Sequence, residues 1–277
     1  MPHGRVGTQR LMERHGIRPD TDLGQHFLLD ENLADLAVRM AGVGPDDVVL
    51  EVGAGLGTLT VALAHAARAV HALEIDPRMR GPLAEVTSDL PGVHLHWGDC
   101  MKADLGALAP PPTAVVSNLP YHVATPVLVE TICRLPGVTR WALMTQREVA
   151  DRWLAPPGSR LYGGPSVIVQ LACRSTGRRS VGREVFSPRP RVDSALVGLE
   201  RVARAPDVAT RSLVRAAFAT RRKTLANALG HAGADRRAVR EALRRMGLDE
   251  AVRPEQLEPA AYPALAAAIG WTRGSQP

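Results

Sequence analysis

Five short apolar runs alternate with helical stretches between residues 46 and 145, and this alternation leaves few folds open. The runs cover 46–52, 69–75, 93–97, 113–117 and 140–145, with helical content at 58–67 and 125–135. Strands separated by helices read as an α/β fold, a parallel sheet with helices on both faces. In open sheets of this kind ligands bind at the carboxyl ends of the strands. The chain places its distinctive residues there. Gly53-Ala54-Gly55-Leu56-Gly57 follows the first run, Glu74 ends the second, Asp99 follows the third, and Asn118-Leu119-Pro120-Tyr121 closes the fourth.

The glycine turn narrows the ligand. Glycines allow positive φ and let a ligand approach the backbone closely. The dinucleotide fingerprint is G-x-G-x-x-G, whereas this chain has G-x-G-x-G and carries Thr58 where the third glycine would fall. A pyrophosphate clamp is disfavoured, and no Gly-Lys-Ser/Thr follows to make a phosphate loop. Glu74 stands 21 residues after Gly53, where an acid accepts ribose hydroxyls. Asp99 is placed to accept an adenine amino group. Either acid alone reads equally as a helix cap or a surface charge. Together with the glycine turn they imply a nucleoside with an amino-acid tail, S-adenosylmethionine. Its sulfonium makes the methyl electrophilic without a metal, and no metal-ligand spacing appears in the chain.

The tetrapeptide Asn118-Leu119-Pro120-Tyr121 suits an amino group on a flat base. The amide oxygen and nearby carbonyls accept the amine hydrogens, and the ring stacks on the base. Read alone, it is a strand ending in a turn, since Asn and Pro are common turn residues.

Beyond residue 150 the pattern changes. The run 167–172 is helix or strand by periodicity alone, and 192–199 reads as a late strand. Helices are expected at 208–219, 224–229, 238–246 and 263–269, and a short one at 9–15. These assignments give a catalytic domain over 1–202 and a smaller, all-helical domain over 203–277. Charge is unevenly spread. Residues 174–247 hold 18 Lys and Arg against 6 Asp and Glu, although the whole 277-residue chain is only +6. Such a block suggests a polyanion clamp, or an arginine-rich solvated surface. No apolar run approaches the roughly 20 residues of a membrane span, and the N-terminus shows no apolar signal region, so a cytoplasmic protein is expected. Cys100, Cys133 and Cys173 match no zinc or redox spacing and are expected to be reduced, buried thiols.

The ordered motifs resemble the rRNA adenine N6,N6-dimethyltransferases of the KsgA type. The resemblance runs through Gly24-Gln25-His26-Phe27-Leu28-Leu29-Asp30, the glycine turn, Glu74-Ile75-Asp76, Gly98-Asp99 and Asn118-Leu119-Pro120-Tyr121. It continues in Gln146-Arg147-Glu148-Val149, in Phe186-Ser187-Pro188-Arg189-Pro190-Arg191-Val192-Asp193-Ser194-Ala195, and in Arg221-Arg222-Lys223-Thr224-Leu225. It implies a Rossmann-like class I methyltransferase sheet and a helical rRNA-binding domain. It implies that His26, Leu28, Gly53, Gly55, Glu74, Asp99 and Asn118 hold the cofactor. Asn118, Leu119, Pro120, Tyr121 and Phe186 would form the catalytic site, with Tyr121 and Phe186 against a flipped adenine. Arg221, Arg222 and Lys223 would bind RNA. The implied substrate is 16S rRNA in an immature small ribosomal subunit, dimethylated at two adjacent adenines near its 3′ end by a monomer. Three departures stand out: His26 where many members carry Asn, Thr21-Asp22 where a basic pair is common, and a proline at 165 that would bend the segment after it. Two alternatives stay open on the sequence. One is a macrolide-resistance-type 23S rRNA dimethyltransferase on the same scaffold; the other is a non-catalytic rRNA-binding assembly factor.

Overall fold

The computed structural model describes residues 4–20, 23–220 and 223–272. Two compact units emerge. The first is the chain up to Ala150 together with Ser175–Arg201, and the second is Asp151–Arg174 together with the chain from Val202 onward. Strands are β1 (Phe27–Leu28), β2 (Val48–Val52), β3 (Ala69–Glu74), β4 (Val93–Trp97), β5 (Ala114–Asn118), β6 (Arg140–Gln146), β7 (Cys173–Val181), β8 (Phe186–Ser187) and β9 (Ser194–Arg201). Helices are α1 (Gly4–Arg14), α2 (Glu31–Met40), α3 (Thr58–Ala66), α4 (Arg80–Thr87), α5 (Ala124–Arg134), α6 (Arg147–Leu154), α7 (Gly164–Ala172), α8 (Val208–Phe218), α9 (Leu225–His231), α10 (Arg236–Arg245) and α11 (Ala261–Ala268).

The first unit holds a sheet ordered β4-β3-β2-β5-β6-β9-β7. The pairs β2–β3, β2–β5, β3–β4 and β5–β6 are parallel, and β9 returns antiparallel to β6. β2 reads Val-Val-Leu-Glu-Val and is buried throughout. A central parallel strand covered on both faces needs such a run rather than an alternating one. The edges differ: β4 is only partly buried, and β7 is mostly exposed and carries Arg178 and Arg179.

Chain order steps outward from β2 through β3 to β4, then returns to the other side of β2 at β5. Ladder pairs between β2 and β5 end at Leu50↔Val115. Beyond them the Val52 N–H is met by the Ser117 hydroxyl at 2.9 Å instead of a backbone carbonyl. The crevice that such a reversal opens is where α/β sheets bind ligands. A small second sheet pairs β1 with β8 antiparallel, Phe27 opposite Ser187 and Leu28 opposite Phe186.

The five expected strands and both expected helices of the first unit are present, shifted by a residue or two at their ends. The unit boundary is a different matter. The expected cut near residue 202 coincides with one crossing, but residues 151–174 belong with the helices, not with the sheet. The ambiguous run at 167–172 is the helix α7, with Val167, Ile168, Val169 and Ala172 all buried. Pro165 does not bend this segment. It occupies the first turn of α7, where its missing N–H costs nothing and its fixed φ suits a helix. Cys100 and Cys173 are buried and Cys133 is half-buried, and none of the three is in a disulfide. Among the described residues, no helix is long and apolar enough to cross a membrane.

In the second unit two buried tyrosines hold loop backbone. Tyr162 Oη donates to the Leu257 carbonyl at 2.9 Å, and Tyr262 Oη donates to that of Pro254 at 2.6 Å. The Phe218 ring lies 6.1 Å from each. A buried carbonyl stripped of its donor is costly. Tyr162→Phe is therefore expected to destabilise the protein by about 1–3 kcal/mol, read from the urea midpoint; an unchanged midpoint would show the Leu257 carbonyl to be satisfied otherwise.

Candidate active site

The cleft at the strand reversal consists of two adjoining cavities in the first unit. One is lined by His26, Leu28, Gly53, Gly55, Glu74 and Asn118 among others, and reaches Tyr121. The second is lined by Val52, Asp99, Cys100, Met101, Val123 and Val127 among others. Leu23, Gly53, Ile75 and Pro120 belong to both. Six of the seven cofactor residues expected from the sequence therefore line the first cavity, and Asp99 lines the adjoining one.

Two glycines of the turn do different work. Gly55 has φ +56°, and a Cβ there would stand 3.1 Å from the Phe27 ring, so the turn passes tightly beneath β1. Gly57 has φ +85°, and a Cβ would stand 2.6 Å from Val86 Cγ2. The last glycine thus lets α3 and α4 approach, which agrees with a turn that does not clamp a pyrophosphate.

Glu74 is buried, with two backbone donors on its carboxylate. Gly55 N–H reaches Oε2 at 2.8 Å and Asp76 N–H reaches Oε1 at 2.8 Å. Burial pushes its pKa up, against these bonds, which favour the ionised form. Each carboxylate oxygen has a second lone pair, enough to accept a ribose diol. Asp99 accepts the Met101 N–H at 2.9 Å with one oxygen, and the apolar walls around it suit a flat base. Burial pushes the Cys100 thiol up to about 11, so it is an inert wall residue. An acid for a diol, an acid in an apolar slot and a glycine turn are a set of groups that suits a nucleoside.

Asn118 ends β5 with its side chain pinned. Its Nδ2 donates to the His26 carbonyl at 3.1 Å, which leaves Oδ1 as the acceptor for a ligand. Leu119 is buried, and its N–H donates to the Met144 carbonyl at 2.9 Å, fixing the strand end. Tyr121 stacks on the His26 ring at 5.5 Å between centroids, and its Oη meets Ser194 Oγ at 3.1 Å. Ser194 is held opposite Gln146 in the β6–β9 ladder.

Several working residues escape a sequence reading. His26, expected in the cofactor pocket, is also tied to the segment that follows β8, with its Nδ1 2.7 Å from the Pro188 carbonyl. Ser194 belongs to a motif quoted above, yet nothing in the string says that its hydroxyl meets Tyr121. Gln25 donates from Nε2 to Asp76 at 2.7 Å and accepts the Asp20 N–H at 2.8 Å, which anchors the segment lining both cavities. Phe186 departs from expectation. It is 4% exposed, packs in the apolar core and lines neither cavity. β8 pairs with β1, which sets Phe186 opposite Leu28. Arg221 and Arg222 lie outside the described residues. Lys223 is exposed in the second unit, just before α9, with its Nζ 2.8 Å from His231 Nε2.

Residues 17–267 match the family described as ribosomal RNA adenine dimethylase. The chain belongs to that family. A "Ribosomal RNA small subunit methyltransferase A" from Kineococcus radiotolerans is 45% identical over 93% of this chain and 88% of its own length. One of the same description from Nocardia farcinica is 44% identical over 95% of this chain and 94% of its own. Among solved structures, a dimethyladenosine transferase from Plasmodium falciparum aligns with a TM-score of 0.74 at 25% identity, covering 87% of this chain and 96% of that one. The 23S rRNA methyltransferase ErmE aligns at 0.64 and 29% identity, covering 88% and 99%. The Rossmann-like methyltransferase fold and the assignment as an rRNA methyltransferase follow from this membership.

Glu51, at the end of β2, is fully buried and lines the first cavity. Burial raises its pKa to about 8, although the Thr60 hydroxyl donates to it at 2.6 Å; the nearby Glu74 adds to the rise. The folded chain therefore keeps a proton that an unfolded glutamate releases near 4.5. Folding takes up that proton between these two values, so stability falls as pH rises through the window and levels off above it. Glu51→Gln is expected to flatten the fall, read as urea midpoints between about pH 5 and 8. An equal slope in both proteins would place the titration elsewhere.

Proposed function

We propose that the chain transfers methyl groups from S-adenosylmethionine to the N6 amines of two adjacent adenines near the 3′ end of 16S rRNA, acting as a cytoplasmic monomer on an immature small ribosomal subunit. The observation that carries this reading is the pinned amide of Asn118, whose Oδ1 is left to accept in a cavity lined also by Glu74 and Tyr121. The names of the relatives at 44–45% identity support the small-subunit substrate over the large-subunit one of ErmE, which is 29% identical.

The cofactor supplies an electrophilic methyl on a positively charged sulfur. Glu74 would take the ribose hydroxyls and Asp99 the adenine amino group, which sets the tail toward Asn118. A target adenine must leave its stack, at a cost of a few kcal/mol, and stacking on Tyr121 returns about 1–3 kcal/mol. The exocyclic amine is a weak nucleophile because its lone pair is shared with the ring. Accepting its hydrogens on Asn118 Oδ1 and the Leu119 carbonyl favours a pyramidal nitrogen and aims the lone pair. This is catalysis by positioning and electrostatics. The new bond runs from N6 to the methyl carbon, the old carbon–sulfur pair stays on sulfur, and the amine proton leaves once the nitrogen carries positive charge. His26 fixes both partners at once, the amide through its carbonyl and the stacking ring through its imidazole.

Incubation of the purified chain with small-subunit particles lacking the mark is expected to give two adjacent dimethyladenines, read by mass spectrometry of the rRNA. Label confined to large-subunit rRNA would overturn the substrate, and intact RNA binding without label would favour an assembly factor. Asn118→Ala is expected to lower kcat by about 100–1000-fold, the usual effect of removing one preorganised polar group, with particle binding retained. Undiminished turnover would refute its role.

A further inference from the structure

The basic stretch at 174–247 does not belong to the helical unit alone. Six of its arginines, Arg178, Arg179, Arg183, Arg189, Arg191 and Arg201, fall in the first unit with the cleft. One of them is built into a cluster. Arg183 Nε lies 3.2 Å from Asp193 Oδ1, and Arg147 Nη1 lies 3.7 Å from Asp193 Oδ2. Arg183 Nη1 also donates to the Arg191 carbonyl at 3.2 Å, and the Arg147 N–H donates to the Asp193 carbonyl at 3.0 Å. Two guanidiniums thus converge on one carboxylate, fixed by main chain as well as side chain.

The cluster is next in the chain to residues at the target side of the cleft and lines neither cavity itself. Asp193 immediately precedes Ser194, whose hydroxyl meets Tyr121. Arg147 immediately follows Gln146, which stands opposite Ser194. Arg183 opens the short turn Arg183–Val185 that leads into β8, where Phe186 pairs with Leu28. Side-chain exposure is 60% for Arg147, 48% for Arg183 and 44% for Asp193. Ion pairs this exposed add little stability, so holding the fold does not account for the arrangement. A guanidinium offers five N–H donors, and these contacts use Nε and Nη1 of Arg183 and only the charge of Arg147. Nη2 of both guanidiniums takes no part in them and is of the donor type that binds phosphate oxygens.

We propose that Arg147 and Arg183, oriented by Asp193, seat the phosphates that flank the flipped adenine. Asp193 is a positioning residue in this arrangement. The inference rests on the rRNA-methylating reading above and adds a substrate seat inside the catalytic unit, apart from the helical domain. A seat beside Tyr121 fixes where the sugar–phosphate backbone turns, and so which nucleotide is presented to Asn118.

The test is steady-state methylation of small-subunit particles by the full chain, with cofactor affinity and melting temperature measured on each variant. For Arg147→Gln/Arg183→Gln, KM for the particle is expected to rise about tenfold with kcat and cofactor affinity little changed. The slope of log affinity against log salt should fall by about 1.4, the value for two single-strand phosphate contacts. Arg183→Lys keeps the charge but loses the fork, and its KM should lie between the two; this variant decides the matter if the double substitution fails to fold. Asp193→Asn separates orientation from mere charge masking: KM rises if the carboxylate orients the guanidiniums, and falls if it only neutralises them, which would overturn its positioning role. An unchanged KM and salt slope in the double variant, with the unmodified chain active, would overturn the seat itself. Absence of methyl transfer by the unmodified chain would instead defeat the underlying reading.

Discussion

The reversal of strand order at β2 is the constraint on which the site depends. From β2 the chain steps to β3 on one side, and from β5 it steps to β6 on the other, which makes the ends of β2 and β5 the switch point of the sheet. The backbone there must find other partners, and the Ser117 hydroxyl on the Val52 N–H is one. What remains is a crevice whose walls are rigid because they are strand ends. Glu74 and Asn118 each end a strand, so their positions are set by ladders, whereas Asp99 lies two residues past the end of β4.

A second consequence is that the two substrates share a structural element. The segment ending in β1 supplies Leu23 to both cavities, a carbonyl to Asn118 and a ring to Tyr121. Its anchorage through Gln25 to Asp76 lies directly after Glu74 and Ile75 in the chain. The groups that would hold the nucleoside and those that would hold the target base are thereby joined within a few residues.

Much of this was legible in the sequence, for physical reasons. Central parallel strands must be continuously apolar, so β2, β3 and β5 announce themselves, and the glycine turn and strand-end acids follow from their places after them. The helical tendency of 167–172 was not legible, because a segment buried on all sides carries no periodicity. With it went the membership of residues 151–174, which depends on packing around Tyr162 and Phe218 rather than on chain order. Phe186 shows the opposite limit. Its motif identified the turn correctly, but the direction of a side chain on a two-residue strand is decided by the partner strand. The sharing of the basic stretch between units was hidden for the same reason, since composition counts charges along the chain and not across a fold.

The edges of the main sheet bear on how the molecule behaves in a crowded solution. An unpaired outer strand offers a template on which another chain can build, and long, flat, apolar ones invite it. Here β7 carries Arg178 and Arg179 on an exposed, polar strand, while β4 at the other side interleaves His94 and His96 with its apolar residues. A neighbour's strand adding at β7 would have to bring its backbone against fixed positive charge. Fixed positive charge on this exposed edge therefore lowers its tendency to pair with another chain.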